Sequence, residues 1–140
     1  MSEREWPDVD PGAAGLHAEW YAANAQAGRL TIQRCGECRQ WRHPSRYRCA
    51  ECHGAVRSFE VIDPAGRVVN HTVTHRPLHP SFAAVVPYAI AVVELDEGPR
   101  MLVVVRSDHP DALLPGARVE IEVSERGVPH ALLTGSSVRE

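Results

Sequence analysis

Residues 35–52 read CGECRQWRHPSRYRCAEC, in which Cys35-Gly36-Glu37-Cys38 and Cys49-Ala50-Glu51-Cys52 form two Cys-x2-Cys pairs separated by ten residues. A Cys-x2-Cys turn points two thiolates at one ion, and a second such knuckle completes a tetrahedron. Cys35, Cys38, Cys49 and Cys52 are therefore expected to hold one metal ion. Zinc is the expected ion, and rubredoxin-type iron needs the same geometry, so the metal stays open between the two. Four protein ligands leave no position for water, which makes the site structural. The metal also matters to folding, because a ribbon of about 20 residues with almost no aliphatic content cannot fold by burial alone. His43 and His53 stand near enough to be alternative ligands, but four cysteines already fill the shell. A redox pair would be a single Cys-x2-Cys inside an α/β pattern, and that context is absent.

The chain around this ribbon has 140 residues, 44% hydrophobic and 24% charged, with a net charge of -3. That length suits one ordinary domain or two small modules helped by a metal or a partner. The start, MSEREWPDVD, has neither the basic residues nor the apolar run of a secretory signal. No apolar stretch approaches the roughly 18–20 residues of a membrane span. A cytoplasmic protein that does not enter membranes is expected, and in a reducing compartment the cysteines are expected to bind metal and not to pair as disulfides. All 15 basic residues are arginine, which excludes lysine Schiff-base chemistry. Five of them, Arg34, Arg39, Arg42, Arg46 and Arg48, fall within 34–53, where the net charge is +3.

N-terminal to the ribbon, residues 10–28 carry a helix pattern: Asp10-Pro11 as a start, Leu16 and Trp20 as an apolar stripe, His17, Glu19, Asn24 and Gln26 as a polar face, and Gly28 as a stop. The Leu16–Trp20 stripe either docks on a partner or packs on the chain's own ribbon. Residues 29–57 make the ribbon, beginning with the strand-like run Leu30–Gln33. From 58 to 140 the pattern changes to short β-rich runs at 58–62, 67–74, 88–95, 101–106, 118–124 and 131–134, divided by turn signals at 63–66, 96–99 and 114–116. Closely spaced strands with no helical period between them predict a small barrel of five or six strands. The run 76–87, RPLHPSFAAVVP, interrupts them with three prolines and is the one long loop of this half. Long loops in compact domains carry function.

Several features in fixed order carry a family resemblance. They are a helix with a tryptophan, Gly28-Arg29-Leu30 leading into Gln33-Arg34-Cys35-Gly36-Glu37-Cys38, His43-Pro44-Ser45-Arg46, Cys49-x2-Cys52, Gly66 before a Thr-rich strand, Pro87-Tyr88 leading to Val93–Gly98, and Leu114-Pro115-Gly116. From about Gly15 to Leu133 the chain resembles the family of rubredoxin-like zinc ribbon plus OB-fold proteins, formerly domain of unknown function thirty-five. The resemblance implies a mainly β fold with an N-terminal helix, a rubredoxin-like zinc ribbon and a C-terminal OB-fold barrel. It implies a non-catalytic accessory subunit in a hetero-oligomer with a thiolase-superfamily, lipid-transfer-protein-like acyl-CoA enzyme, such as a steroid side-chain aldolase, with a CoA ester at or near the interface. Arg76, Phe82 and Tyr88 would then face the partner, together with Trp20, and Arg42 and Arg46 would meet CoA phosphates through their guanidinium forks. The second knuckle is Cys-Ala-Glu-Cys where the family has Cys-Pro-x-Cys, and 43–46 is His-Pro-Ser-Arg where the family commonly has Pro-Pro-Arg. The metal ligands survive both departures.

Other chemistry is weaker. His71 and His75 share one strand face by even spacing, but no nucleophile motif accompanies them, so outward-facing histidines are expected. Glu94, Asp96 and Glu97 sit at a hairpin and read as a solvated turn. Apolar 82–86 either meets a partner or closes one end of the barrel. The alternative function is a nucleic-acid-binding zinc ribbon and OB module, since Trp41 and Tyr47 alternate with arginines. Against it stand the pI of about 6.2 and a ribbon whose charge falls to roughly +1 once four thiolates bind Zn2+.

Overall fold

The computed structural model describes residues 4–134. The last six residues of the expected barrel segment lie outside that span. A single helix, α1 (Gly15–Ala27), leads into a three-stranded ribbon sheet of β1 (Thr31–Cys35), β2 (Trp41–Arg42) and β3 (Arg57–Val61), in the order β2-β1-β3. Five further strands follow: β4 (Ala65–Thr74), β5 (Tyr88–Leu95), β6 (Arg100–Val105), β7 (Arg118–Val123) and β8 (Pro129–Leu133). They close into a barrel, β4-β5-β6-β8-β7, in which β6 and β8 are parallel and the other pairs antiparallel. The chain is mainly β, with a zinc-ribbon region and an OB-type barrel.

Alternation builds the barrel. Along β5, Ala89, Ala91, Val93 and Leu95 point inward and meet Val68, Met101, Val103, Val105, Val119, Ile121 and Ala131 from the other strands. Closure bends β4, and it does so at a bulge between Val68 and Asn70 that inserts Val69 and increases the local twist. Gly66 lies where β4 crosses β5 most closely: a Cβ there would come 2.6 Å from the Glu94 carbonyl oxygen. Five strands close the barrel, and the first predicted run, 58–62, pairs instead with β1, Thr31 opposite Val61 and Cys35 opposite Arg57. Periodicity reports a half-buried strand; it does not report which sheet receives it.

The helix starts five residues later than its sequence signal. Gly12 and Gly15 both have left-handed φ, 61° and 62°, and Asp10 uses its Oδ1 to accept the Gly12 N–H at 2.9 Å in a turn. Ala14 stands at the N-cap without a side-chain hydrogen bond. The stop is as read: Gly28, at φ 65°, donates its N–H to the Asn24 carbonyl at 2.8 Å. Leu16 and Trp20 face inward. Asn24, expected on the polar face, is fully buried beside them.

Asn24 joins the three parts of the chain. Its Oδ1 accepts from the Thr31 backbone N–H and from Thr31 Oγ1, each at 2.8 Å, and its Nδ2 donates to the Gly127 carbonyl at 3.0 Å. Gly127, at φ 81°, lies so close to the helix that a Cβ would strike the Tyr21 carbonyl. Changing Asn24 to Ala strands the buried Thr31 N–H and Gly127 carbonyl. This should cost about 2–4 kcal/mol in denaturant unfolding with little change in m-value. A cost below about 0.5 kcal/mol would show that the junction does not depend on this side chain.

Candidate metal centre and neighbouring surfaces

The two cysteine knuckles repeat one backbone design. In the first, Cys35 N–H donates to the Gln40 carbonyl at 3.0 Å and Arg39 N–H returns to the Cys35 carbonyl at 3.2 Å. In the second, Cys49 N–H donates to Gly54 at 3.0 Å and His53 N–H returns to Cys49 at 2.9 Å. The residue after each second cysteine, Arg39 or His53, adopts left-handed φ of 64° or 63°, which turns the chain back on itself. Neither is glycine, so both sites hold a conformation that L-residues seldom take, at a position set by the knuckle.

All four Sγ atoms lie within 4.8 Å of one another, Cys35 to Cys52 at 3.6 Å and Cys38 to Cys49 at 3.5 Å. A tetrahedron with bonds of about 2.3 Å has edges of about 3.8 Å, so the spacing fits a single ion and is far from a disulfide bond. Backbone N–H groups of Cys38 and Glu37 point at Cys35 and pull its thiol down to about 6; those of Cys52 and Glu51 lower Cys49 in the same way. At these two positions the donors favour thiolates, the form a metal needs, whereas Cys38 and Cys52 are raised, the Gln40 and Gly54 N–H groups being outweighed by burial and by hydrogen bonds among the sulfurs. The residues present fit a four-thiolate ion, with zinc as the plausible metal.

Arg42 and Arg46 come together on one wall of a pocket of about 280 Å3 that also touches Trp41, His43 and Pro99. Gln33 places them. Its Oε1 accepts from Arg42 Nε at 2.6 Å and from the Arg46 backbone N–H at 2.8 Å, while Gln33 Nε2 and Arg42 Nη1 are buried without partners. The other arginines of 34–53 are occupied. Arg39 forks onto Glu60 at 2.8 and 2.9 Å, Arg34 lies 3.6 Å from the same carboxylate and stacks 4.3 Å over Trp41, and Arg48 donates to the His53 carbonyl. Trp41, read as part of a base-stacking platform, therefore already carries a guanidinium on its face.

On the barrel, Phe82 sits in a 3-10 turn over Pro80–Val85 and packs on Tyr88, ring centres 5.1 Å apart. Tyr88 is buried at 1% exposure, and its hydroxyl accepts the Leu78 N–H at 3.2 Å. Trp20 is also enclosed: its indole N–H donates to the Thr31 carbonyl at 2.6 Å and its ring meets His43 at 4.6 Å. Neither ring offers a face to a partner. Val85 is buried as well and Phe82 is half-buried, so the centre of this run packs on the chain itself. The loop exposes Arg76, Leu78, His79, Pro80, Ser81, Ala83 and Ala84, and Leu78, at 73% exposure, is its exposed large apolar side chain. His71 is half-buried in β4 and His75 is exposed beyond its end. Glu94 receives Arg67 and Arg100, and Asp96 receives Arg118 bidentately, which holds both carboxyls below their usual range.

Sequence reasoning did not find Asn24, Gln33, Arg4 or Trp6. Arg4 donates to the Val85 and Pro87 carbonyls, and Trp6 meets the Tyr88 edge. The one visible signal was an aromatic residue in a polar N-terminal stretch.

Two family models match the chain: "ChsH2, rubredoxin-like zinc ribbon domain" over residues 23–57 and "ChsH2, C-terminal OB-fold domain" over 60–124. The chain is 36% identical, over 76% of its length, to the "Probable enoyl-CoA hydratase alpha subunit" of Thermomonospora curvata, and spans only 32% of that protein. It is 32% identical to a "DUF35 domain-containing scaffold protein" of Methanothermobacter thermautotrophicus, over 73% of this chain and 79% of that one. Among solved structures, "Ltp2-ChsH2(DUF35) aldolase" contains a chain superposing with TM-score 0.74 at 31% identity, covering 89% of this chain and 97% of that one. A DUF35 protein of Sulfolobus solfataricus, at 15% identity and TM-score 0.56 over 89% of each chain, shares the fold. The chain belongs to the DUF35 family, the rubredoxin-like zinc ribbon plus OB-fold proteins.

Protein purified without chelator should contain about one zinc per chain. Changing Cys49 to Ser should release the ion and unfold the ribbon, read as lost metal and loss of β1–β2–β3 amide protection. Less than half an equivalent of any metal in the unaltered protein would contradict the site. A second expectation concerns His43, whose burial, with a smaller push from His17, lowers its pKa to about 4 against an ordinary value of 6.5. Between these values the unfolded chain binds a proton that the folded chain refuses, so stability falls as pH drops through this window. Wild type should lose about 2 kcal/mol more than a His43→Phe variant between pH 7 and pH 5. Equal losses would exclude His43 as the source.

Proposed function

We propose that this DUF35 protein is a non-catalytic subunit that holds a thiolase-superfamily, lipid-transfer-protein-like acyl-CoA enzyme, such as a steroid side-chain aldolase, in its working assembly and helps form the CoA-ester site. The observation that carries this reading is the likeness to a chain of the Ltp2-ChsH2(DUF35) aldolase over 97% of that chain. The description of two archaeal relatives as scaffold proteins supports it. The chemistry on this chain agrees: all four cysteines converge on one metal position, lysine is absent, and no serine stands in a nucleophile motif with a placed base. What the chain has to offer is surface. Arg42, whose Nε is fixed by the Gln33 amide, and Arg46, whose backbone the same amide holds and whose side chain is exposed, line the ribbon pocket and are the candidate contacts for CoA phosphates. Leu78, Arg76 and the half-buried Phe82 are the candidate partner contacts on the barrel loop.

Affinity purification of the full chain from its host, with mass spectrometry, should recover a thiolase-like enzyme. Recovery of the chain alone, or with nucleic acid, would overturn the reading, as would thioester turnover by the isolated chain. Because Leu78 is exposed, L78D should leave the melting temperature unchanged and weaken partner binding by about tenfold or more. Unchanged partner affinity would remove the loop from the interface. Arg42→Ala with Arg46→Ala should raise the dissociation constant of the assembled complex for a CoA ester without dissociating it, measured by calorimetry.

A further inference from the structure

The barrel's seam between β6 and β8 is short. β6 pairs with β8 only at Val104 and Val105, opposite His130 and Ala131. The first half of β6 therefore has β5 on one side and, among the described residues, no strand on the other. Register gives the direction of its free groups. Leu95 N–H donates to the Pro99 carbonyl at the hairpin, and Arg106 N–H donates to Ala131 across the seam. Bonded and non-bonded pairs alternate in an antiparallel ladder. Met101 and Val103 thus exchange bonds with β5, while the N–H and C=O of Leu102 point away from it, and no turn or loop takes them up among the described residues.

The sequence explains why the seam stops there. One further step of the β6–β8 ladder would have the Leu102 carbonyl accept from Pro129 and the Leu102 N–H donate to Gly127. Proline has no N–H to give, and the Gly127 carbonyl already accepts Asn24 Nδ2 at 3.0 Å. Val128, between them, turns both backbone groups to Ser124: its N–H donates to Oγ at 3.1 Å and its carbonyl accepts the Ser124 N–H at 3.0 Å. Beside the open edge lies a groove of about 320 Å3 between α1 and β6, with His17, Tyr21, His43, Leu102, Val128 and Pro129 among its lining. No carboxylate or arginine lines it, and burial keeps His43 neutral. Leu102 is 68% exposed; Val92 opposite it and the Ile90–Val104 pair alongside extend an outward apolar surface over both strands. An open, apolar strand edge is a template for another strand. Its occupant must offer backbone N–H and C=O groups to Leu102 and an apolar side chain to the groove, and an extended peptide does both. A small apolar molecule would leave the backbone groups of Leu102 without partners. A second copy of β6 would bring its own flanking α1 into the groove.

We propose that an extended, uncharged segment of the thiolase-like partner adds as a strand to the free edge of β6, exchanging two backbone hydrogen bonds with Leu102 and placing an apolar side chain between His43 and Pro129. The identity of the partner rests on the function proposed above; the edge itself does not. Amide hydrogen exchange reads the site residue by residue, on the full metal-loaded chain alone and in complex with the thiolase-like enzyme recovered with it. Alone, the Leu102 amide should exchange about a hundredfold faster than those of Met101 and Val103, and the complex should slow it by a similar factor. A complex in which Leu102 still exchanges fast would overturn this inference and leave the proposed function standing, whereas failure to form any complex would remove both. Slow exchange of Leu102 in the monomeric chain would overturn it, as would protection that grows with chain concentration alongside a doubling of mass, the mark of self-pairing. Leu102→Lys should weaken the complex by about tenfold or more with an unchanged melting temperature, and Leu102→Val should keep most of the affinity. Unchanged affinity of the lysine variant would also overturn the proposal.

Discussion

The fold turns on one buried amide. Helix and ribbon are each too small to bury much surface alone, and Asn24 is where they meet the barrel, satisfying Thr31 at the head of β1 and Gly127 in the β7–β8 turn from one helix face. An apolar residue there would fill the space but leave two backbone groups without partners. The polar side chain therefore specifies register: only one rotation of α1 and one height of the β7–β8 turn satisfy all three bonds. Trp20, one turn earlier, repeats the logic by packing as a large apolar ring while donating to the Thr31 carbonyl. Both sides of the Thr31 peptide are thus bonded to the helix before β1 enters the ribbon.

From that anchor the ribbon follows. β1 ends at Cys35, so the strand fixed by Asn24 delivers the first metal ligand directly. The knuckle hydrogen bonds then set the other three sulfurs by local geometry, without help from a hydrophobic core. The Gln33 side chain projects from the same strand and holds Arg42 and Arg46 against it. Metal site and arginine pocket are two outputs of one five-residue strand, and loss of the ion would be expected to disorder both.

How much of this was legible in the sequence depends on whether a residue's role was local. The cysteine knuckles, the Gly28 stop, the alternating strands and the hairpin at 96–99 are set by neighbours within a few positions, and each was readable. Asn24 was not, because its helical position reads as polar surface unless one knows that a strand start and a turn more than 100 residues away converge on it. Tyr88 was read as facing a partner, and Trp20 as either docking on a partner or packing on the chain's own ribbon, because aromatic residues near a loop or on an amphipathic stripe suit both roles; in the fold both are buried within the chain. The helix start was misplaced because Asp10-Pro11 mimics a cap, while two left-handed glycines downstream delay the first turn. The pairing of β3 with β1 was invisible for a different reason: alternation is the same in either sheet.

Charge placement extends the same argument to the surface. Summed along the chain, the arginines suggest a polyanion partner. In space several are already answered, Arg39 and Arg34 by Glu60, Arg67 and Arg100 by Glu94, and Arg118 by Asp96. These pairs are exposed and contribute little to stability, but they cancel the field that a nonspecific nucleic-acid binder would need. Arg29, Arg46, Arg48 and Arg76 are exposed and form no ion pair among the described residues, the first three at or in the ribbon and the last on the barrel loop. The paired arginines leave separated single cations and not one continuous basic stripe, which favours recognition of discrete anionic groups over a continuous phosphate backbone.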